Sequence, residues 1–461
     1  MLTSLIPKIK VQPKQYLPSL FQSVIRFHGN HSHDGDDDAY EKYQKRLDRT
    51  LTGAPASETL MKILKIIATP KEARLASRLP SMPTPISKLS KELKIPIKEL
   101  DEQISVLADK GLVIDMQINN EKYFSLVPIV IGFFEFLMMR ANNPYDLPIV
   151  EITQLFDRYI FENDKFANSV FPAGETQIGR TLVHEETLPQ MNDAKIYDYE
   201  RATEIIKSAK KITVSLCCCR MKSQRLNHPC KKDAPLETCL TFDRAADYIL
   251  RHNFGKEITN QRGLEILKQA KEYGLVQIDN VKYEPTYMCN CCGCCCGMLQ
   301  GLKTFNLPHA VVTSNYIMQV DTEKCIGCGK CAKECPIDAI EIKKDSNGKK
   351  KAIRSDICLG CGVCVSKCKF GALSMKPRKE RVYTPETVFE RYIAMALERG
   401  KLANLLFEYP EKFSHRALGR IFSMMEKLPP LTIIKNNKKL KSRFIAKMAE
   451  NAKKKAIKTK K

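Results

Sequence analysis

The distribution of cysteine constrains this chain more than any other feature of its sequence. All 19 cysteines of the 461 residues lie between Cys217 and Cys368, in adjacent runs and two-residue spacings. A disulfide scaffold is normally a short secreted chain with dispersed cysteines. The observed pattern instead favours thiolate ligation of metal clusters in a reducing compartment.

One spacing, C-x2-C-x2-C-x3-C, occurs twice. It resembles the motif of bacterial-type ferredoxins, in which the first three cysteines of a half bind one [4Fe-4S] cluster and the fourth binds the other. Zinc is the alternative, but three ligands so close together are crowded for a single ion. The crossed arrangement assigns Cys325, Cys328, Cys331 and Cys368 to cluster 1, and Cys358, Cys361, Cys364 and Cys335 to cluster 2.

The ferredoxin module is expected to span residues 315–375, with a hairpin turn at Asn347-Gly348. Glycines between the cysteines let backbone amides approach the sulfurs. Lys369 stands where the first half has Pro336, which does not affect ligation by Cys368. Between Asp321 and Met375 eleven basic residues oppose seven acidic ones. This positive charge predicts a redox partner protein with an acidic docking face.

Eleven further cysteines lie upstream. The first group supplies the ligands expected for a third [4Fe-4S] centre: Cys217, Cys219, Cys230 and Cys239. The second group consists of the cysteines between 289 and 296. A short loop cannot direct adjacent cysteines onto one [4Fe-4S] cube, so members of this group are expected to bind a second centre, join the first group or stay free. A zinc site or surplus thiols are the alternative, and His228 is interpreted as a polar loop residue. The second group comprises Cys289, Cys291, Cys292, Cys294, Cys295 and Cys296.

The upstream pattern resembles uncharacterised multidomain 4Fe-4S proteins of anaerobic bacteria and archaea. These have a C-x-C-R segment, a later cysteine before a P-x-E-x-C stretch, a C-C-G-C-C-C run and a terminal two-cluster ferredoxin. The resemblance extends over roughly residues 57–376 and implies electron transfer without a known substrate. Cys218 departs from the pattern and leaves the ligand choice open. The matching positions are Cys217, Cys219, Arg220, Cys230, Pro235, Glu237, Cys239 and the run from Cys291.

The predicted fold class is α+β and multidomain. After a linker at 34–56, a winged-helix-like domain (57–140) is followed by a Cys-rich domain (145–312) with a supporting helix at Ile266–Val276. Beyond the ferredoxin module come two or three helices at 383–430 and a basic tail at 435–461, expected to be solvated and flexible.

The winged-helix prediction follows from a helix–turn–helix pattern at Ile86–Val113 and an extended pair turning at Asn119-Asn120. DNA binding is one interpretation. However, the helix that would enter the groove, Ile97–Lys110, carries four acidic residues against two lysines. Because phosphate contacts need Lys and Arg, a docking or dimerisation role is favoured and nucleic acid is not expected as a partner.

The ends of the chain are basic. Residues 1–33 contain four basic residues, no acid and a short amphipathic stretch, which resembles a mitochondrial presequence and predicts the mitochondrial matrix or a related organelle. A cytoplasmic protein with an unstructured leader is the alternative. The most apolar stretch, Tyr123–Met139, is short for a membrane span and is expected to be a buried helix.

Three functions fit these features. The first is an electron-transfer protein that relays single electrons through iron-sulfur clusters. The second is a catalytic oxidoreductase with its active-site cluster in the Cys-rich domain, and the third is an iron-sulfur-dependent winged-helix regulator. The chain has no Gly-rich dinucleotide motif or phosphate loop, so a nicotinamide or flavin cofactor has no support.

Overall fold

The computed structural model describes residues 34–172, 174–188, 200–305, 307–308, 310–346, 348–409 and 412–458, as a mixture of helices and sheets. The predicted presequence at 1–33 and Asn347 lie outside the described residues. Buried apolar side chains from the N-terminal region, part of the Cys-rich region, the ferredoxin module and the C-terminal helices belong to one continuous core. These regions therefore pack on one another.

The N-terminal region alternates short helices with a small sheet. Ser57 caps the second helix by accepting a hydrogen bond from Leu60 N, and Thr69 and Glu72 form a capping box on the third. The elements are α1 (Asp34–Asp48), α2 (Glu58–Ile67), α3 (Pro70–Ala76), β1 (Thr84–Pro85), α4 (Ile86–Leu93), α5 (Ile97–Asp109), β2 (Val113–Ile118) and β3 (Glu121–Leu126).

Residues 34–56, predicted as a linker, contain helix α1, which corrects that prediction. Its polar composition conceals a buried face, because Tyr43 and Leu47 are fully buried. Arg46 is also buried, donates to the carbonyl of Leu79 and forms an ion pair with Glu408 at 2.6 Å. The apolar face and this buried ion pair hold α1 against the rest of the protein.

The helix–turn–helix and hairpin predictions are confirmed. Strands β2 and β3 pair in antiparallel register around Asn119 and Asn120, which both have positive φ, and β1 adds to the edge of β3. The stretch Tyr123–Met139 is not one buried helix, since its first residues lie in β3. Three helices follow: α6 (Phe134–Met139), α7 (Ile149–Phe161) and α8 (Lys165–Val170). Within the described residues, no helix has the length and apolarity needed to cross a bilayer.

A six-stranded antiparallel sheet organises the Cys-rich region, in the order β4-β8-β9-β6-β5-β7. The supporting helix predicted at Ile266–Val276 ends earlier than expected, because Gly274 takes a positive φ and the next strand begins at Val276. The elements are β4 (Arg180–Thr181), α9 (Ala202–Ser208), β5 (Ile212–Leu216), α10 (Cys218–Arg225), β6 (Glu237–Phe242), α11 (Asp243–Arg251), β7 (Lys256–Ile258), α12 (Asn260–Glu272), β8 (Val276–Asp279), β9 (Tyr287–Cys291) and α13 (Gly297–Thr304).

The ferredoxin module consists of two antiparallel strand pairs and two short helices. Strands β10 and β13 pair with each other, as do β11 and β12. The elements are β10 (Tyr316–Val320), α14 (Lys330–Glu334), β11 (Ile340–Lys344), β12 (Lys350–Arg354), α15 (Val363–Ser366) and β13 (Leu373–Pro377).

The C-terminal region is helical, as predicted, but the basic tail is not wholly a solvated appendage. Ile445 is buried, and Lys441 forms ion pairs with Glu175 at 2.6 Å and with the buried Glu398 at 2.9 Å. These contacts hold the last helix against α16. The helices are α16 (Val388–Glu398), α17 (Leu402–Leu406), α18 (Phe413–Met425), α19 (Leu431–Asn436) and α20 (Lys438–Lys458).

Replacing Lys441 by alanine is expected to release α20. The substitution leaves the Glu398 carboxylate buried without its cation, which costs about 3–5 kcal/mol for a broken buried pair. Limited trypsin digestion and the denaturation midpoint measure the effect. Lys439→Ala removes an exposed lysine from the same helix and should change stability by no more than about 0.5 kcal/mol. Equal behaviour of the two variants would contradict a structural role for the Lys441 pair.

Candidate metal centres

The two halves of the ferredoxin module repeat one local backbone. Gly329 and Gly362 have φ of 77° and 84° and immediately precede α14 and α15, the helices that carry Cys331 and Cys364. A second glycine in each half also has positive φ, and at Gly360 a Cβ atom would lie 2.0 Å from the Tyr316 carbonyl oxygen. The glycines therefore allow each cysteine loop to turn tightly against a strand.

A cavity of about 60 Å³ lies at one end of this module. Besides cysteines, the cavity is lined by apolar side chains such as Ile342, Ala352 and Leu373. The backbone N–H of Ala352 donates to the Cys325 sulfur at 3.5 Å, a contact that stabilises thiolate charge. An apolar cavity with thiols and an N–H donor fits a [4Fe-4S] cluster. The cavity is lined by Cys325, Cys328, Cys331 and Cys368.

The other four cysteines of the module lie deeper in the protein. Cys358, Cys361 and Cys364 are buried, and the charges of Cys335 and Cys358 act on both Cys361 and Cys364. Burial raises the pKa of the Cys361 and Cys364 thiols, so a bound cation is needed to keep them as thiolates at neutral pH. The Ala339 N–H donates to the Cys335 sulfur at 3.2 Å.

The two ends of the module differ in exposure. Cys328 is exposed beside the cavity, with Ile326 and Phe370 about half exposed around it. At the other end the Cys361 carbonyl accepts the His184 N–H at 2.9 Å, and Gly362 packs closely on Thr187. One end of the module thus faces solvent and the other faces the Cys-rich region.

Within the Cys-rich region, strand geometry divides the run that ends β9. Leu240 and Met288 are paired across β6 and β9 and point into the core below the sheet. The flanking residues Cys239 and Cys289 therefore lie on the opposite face, where Cys291 joins them two residues further along. Cys292 follows the end of the strand and packs away from that face, with Cys295 and Leu275. Adjacent cysteines thus serve two separate groups.

One of these two structural groups contains seven thiols and is named the seven-thiol set. Neighbouring thiols in this set shift one another's pKa values: Cys239 and Cys289, Cys289 and Cys291, Cys291 and Cys296, and Cys296 and Cys219. The Cys218 and Cys219 sulfurs lie 3.8 Å apart. Cys217 lies close enough to Cys219 and Cys289 for their charges to raise its pKa. The members of the seven-thiol set are Cys217, Cys218, Cys219, Cys239, Cys289, Cys291 and Cys296.

The other structural group contains four thiols and is named the four-thiol set. Its sulfurs all lie within 4.8 Å of one another and belong to Cys230, Cys292, Cys294 and Cys295. The sequence assigns Cys230 to the same centre as Cys217, Cys219 and Cys239. In the structure the loop between α10 and β6 carries Cys230 to the end of the cysteine run, where its sulfur lies with those of Cys292, Cys294 and Cys295. His228 is exposed in the loop that follows α10.

A buried arginine lies between these groups. Arg220 is only 1 % exposed, donates to the carbonyl of Asn290 at 3.0 Å and to the Thr238 hydroxyl. Although burial lowers the pKa of an arginine, the thiols of Cys217, Cys292 and Cys291 raise that of Arg220 above its ordinary value. Buried charges need compensation, so this guanidinium fits a site whose sulfurs are thiolates bound to metal.

Glu135 lies near the seven-thiol set and is a residue that the sequence pattern did not single out. Burial raises its pKa well above the usual range, and the nearby Cys219 and Cys289 raise it further, against the opposing effect of the N–H of Gly132, which donates to its carboxyl at 2.6 Å. The available signal was a single acid within an apolar stretch. Burial also raises the pKa of the Cys217 thiol to about 12, against the lowering effect of Arg220.

Comparison with known protein families agrees with the geometry of the module. Residues 324–383 match the 4Fe-4S dicluster domain family. This part of the chain is therefore a ferredoxin-like 4Fe-4S module, and iron-sulfur binding is its defining property. Comparison with curated proteins gives no match, and comparison with solved structures gives none.

Gly360→Ala is expected to disrupt the module. A Cβ atom at this position, where φ is 71°, would lie 2.0 Å from the Tyr316 carbonyl oxygen, so the cysteine loop must move. Gly348→Ala is the matched control, since φ is 75° and nothing lies within 4 Å. The control should cost only about 1–2 kcal/mol for the left-handed backbone. The G360A protein should lose more stability and also iron, as measured by thermal denaturation and iron analysis. Equal iron contents would contradict the close packing.

Arg220→Gln is expected to weaken metal retention in the Cys-rich region. The substitution removes the buried cation beside the thiolates, and breaking such a pair costs about 3–5 kcal/mol. Iron, zinc and acid-labile sulfide per chain measure the effect. Arg244→Gln neutralises an exposed arginine in α11 and should leave all three contents unchanged. Full metal content in both variants would show that Arg220 does not stabilise metal-bound thiolates.

Proposed function

We propose that this protein transfers single electrons between a redox partner and an iron-sulfur centre in its Cys-rich region, through the two [4Fe-4S] clusters of its ferredoxin module. The observation that carries the proposal is the cavity lined by Cys325, Cys328, Cys331 and Cys368. It combines three cysteines of one half with the fourth of the other, as crossed ligation requires. This proposal agrees with the resemblance to multidomain 4Fe-4S proteins.

Cluster 1 is the proposed site of exchange with the partner. Its cysteine Cys328 is exposed, and the apolar Ile326 and Phe370 stand about half exposed beside it. The exposed Lys330 and Lys369 also line the cavity. An apolar patch with a basic rim suits a partner with an acidic docking face, because complementary charge speeds encounter.

Cluster 2 is the proposed inner relay. Cys358, Cys361 and Cys364 are buried against the Cys-rich region, where Lys232 forms an ion pair with Glu334 of the module. The seven-thiol set is the proposed third centre, since it contains more than enough thiolates for one cluster and lies on one face of the six-stranded sheet. Cluster 2 thereby connects this centre with cluster 1.

The winged-helix-like region is proposed to be an internal docking module rather than a DNA reader. Asp115 of β2 accepts hydrogen bonds from Arg251, the last residue of α11, and from His252, which follows it. His252 also contacts Asp109 at 2.6 Å. The wing is therefore engaged by the Cys-rich region. On α5, Asp101 pairs with Lys122, and the helix offers few basic groups to phosphates.

A catalytic oxidoreductase is the second candidate, favoured by Glu135. The Glu135 carboxyl lies near enough to Cys219 and Cys289 for their charges to raise its pKa, so it is a candidate proton carrier near the seven-thiol set. Such a group would be useful if a substrate reacts at that centre with coupled proton transfer. Glu135→Gln should then abolish substrate turnover while electron transfer through clusters 1 and 2 continues.

Anaerobic purification tests the primary proposal. The chain should contain at least about eight irons with matching sulfide, and reduction should give the electron paramagnetic resonance signal of two interacting [4Fe-4S] clusters. Fewer irons would remove the two-cluster assignment. Cys328→Ser should alter the signal of one cluster, whereas Lys349→Glu should alter neither.

The docking surface is tested by charge reversal at Lys369, which lines the cavity. With an acidic flavodoxin as the probe, the K369E protein should transfer electrons several-fold more slowly at low ionic strength, and the difference should shrink as salt is added. Lys349→Glu makes the same charge change at an exposed position away from the cavity. Equal slowing by both variants would indicate an effect of net charge and not of docking at cluster 1.

A further inference from the structure

We propose that the four-thiol set, Cys230, Cys292, Cys294 and Cys295, binds a single tetrahedral divalent metal ion, zinc or ferrous iron, and not an iron-sulfur cube. This site is additional to the clusters of the proposed electron-transfer route. It concerns the number of metal atoms that these thiolates hold and does not depend on where electrons go.

The sulfur separations carry the proposal. The Cys230 sulfur lies 3.6 Å from that of Cys292 and 3.7 Å from that of Cys294, and the sulfurs of Cys294 and Cys295 are also 3.7 Å apart. Metal–sulfur bonds of about 2.3 Å directed to the corners of a tetrahedron place neighbouring sulfurs about 3.8 Å apart. These distances are too long for disulfides and match the ligand shell of one ion.

The rest of the chain supplies an internal comparison. In a four-iron cube a separate iron stands between the centre and each thiolate, so the four sulfurs lie farther apart than around a single ion. Among the residues that the structure describes, the four-thiol set is the one group of at least three metal-binding side chains whose ligand atoms all lie within 4.8 Å of one another. The cysteines of the ferredoxin module, with two cluster motifs, do not form such a group.

The surroundings of the four-thiol set also fit a closed tetrahedral site. Cys292 and Cys295 are buried, and they pack with the apolar side chains Ala234 and Leu275. Four thiolates and a divalent ion carry a net charge of −2, and the thiol protons leave to solvent when the ion binds. The buried Arg220 guanidinium interacts with Cys292 and offsets part of that charge.

The position of the site indicates what the ion does. Gly293, between two of the ligands, packs so closely on the ferredoxin module that a Cβ atom would lie 2.0 Å from the carbonyl oxygen of Pro336, the residue after Cys335. Lys232, two residues after Cys230, forms an ion pair with Glu334. The ion therefore links the segment that contains Cys230 and Lys232 to the segment around Gly293. Both segments contact the ferredoxin module near Cys335, so the ion shapes the surface against which the cluster 2 end of the module packs.

The test compares the full-length anaerobically purified protein with its Cys230→Ala and His228→Ala variants. His228 is exposed in the same loop, two residues before Cys230, and serves as the control. Zinc, iron and acid-labile sulfide are counted per chain. The C230A protein should lose one equivalent of zinc or of iron, with no loss of sulfide, whereas H228A should keep its full zinc, iron and sulfide contents. Loss of zinc identifies a zinc site, and loss of iron without sulfide identifies a mononuclear iron site.

The proposal is overturned if C230A loses several irons together with sulfide, which is the signature of a cluster, or if its metal content is unchanged. Spectroscopy of the wild-type protein decides the matter should C230A fail to fold. X-ray absorption at the zinc edge should show four sulfurs at about 2.3 Å, or Mössbauer spectra should show one iron in a tetrahedral sulfur environment outside the clusters. Absence of both components would exclude a single-ion site.

Discussion

Thiolate charge inside the protein is the constraint on which the rest of this structure depends. Most of the cysteines are buried or half-buried, and burial disfavours their charged form. The structure responds with groups that offset negative charge: backbone N–H donors at Cys325 and Cys335, the guanidinium of Arg220, and surroundings arranged for metal ions. The sheet, the short helices and the glycine turns position these groups around the sulfurs.

The packing of the cysteine sites also affects how the ferredoxin module and the Cys-rich region are joined. The inner end of the ferredoxin module packs on the Cys-rich region through backbone contacts at Gly293 and at Cys361, with little space for added side-chain atoms. The outer end presents Cys328 at the surface. This asymmetry gives the two clusters different roles in the proposed route, because only one is accessible to a partner.

Much of the local structure follows from sequence pattern. The C-x2-C-x2-C-x3-C halves, the hairpin at Asn119-Asn120 and the helices α2 to α5 rest on short-range spacing and periodicity, which local chemistry determines. Predictions based on composition were weaker. The acidic segment containing α1 was predicted to be a linker, and the basic segment containing α20 was predicted to be a solvated tail. Yet each contributes a buried face and a buried ion pair formed with a distant residue.

The sequence by itself determined that cysteines hold iron-sulfur clusters in residues 324–383, because a repeated ligand spacing needs no distant partner to be recognised. Only the tertiary structure decided how the upstream cysteines are grouped. Cys230 and Cys239 are near in sequence but belong to different sets, while Cys291 and Cys292 are neighbours that point in different directions. Strand alternation and the path of the loop between α10 and β6 separate them. These long-range relations depend on the pairing of β6 with β9, which no local spacing reveals.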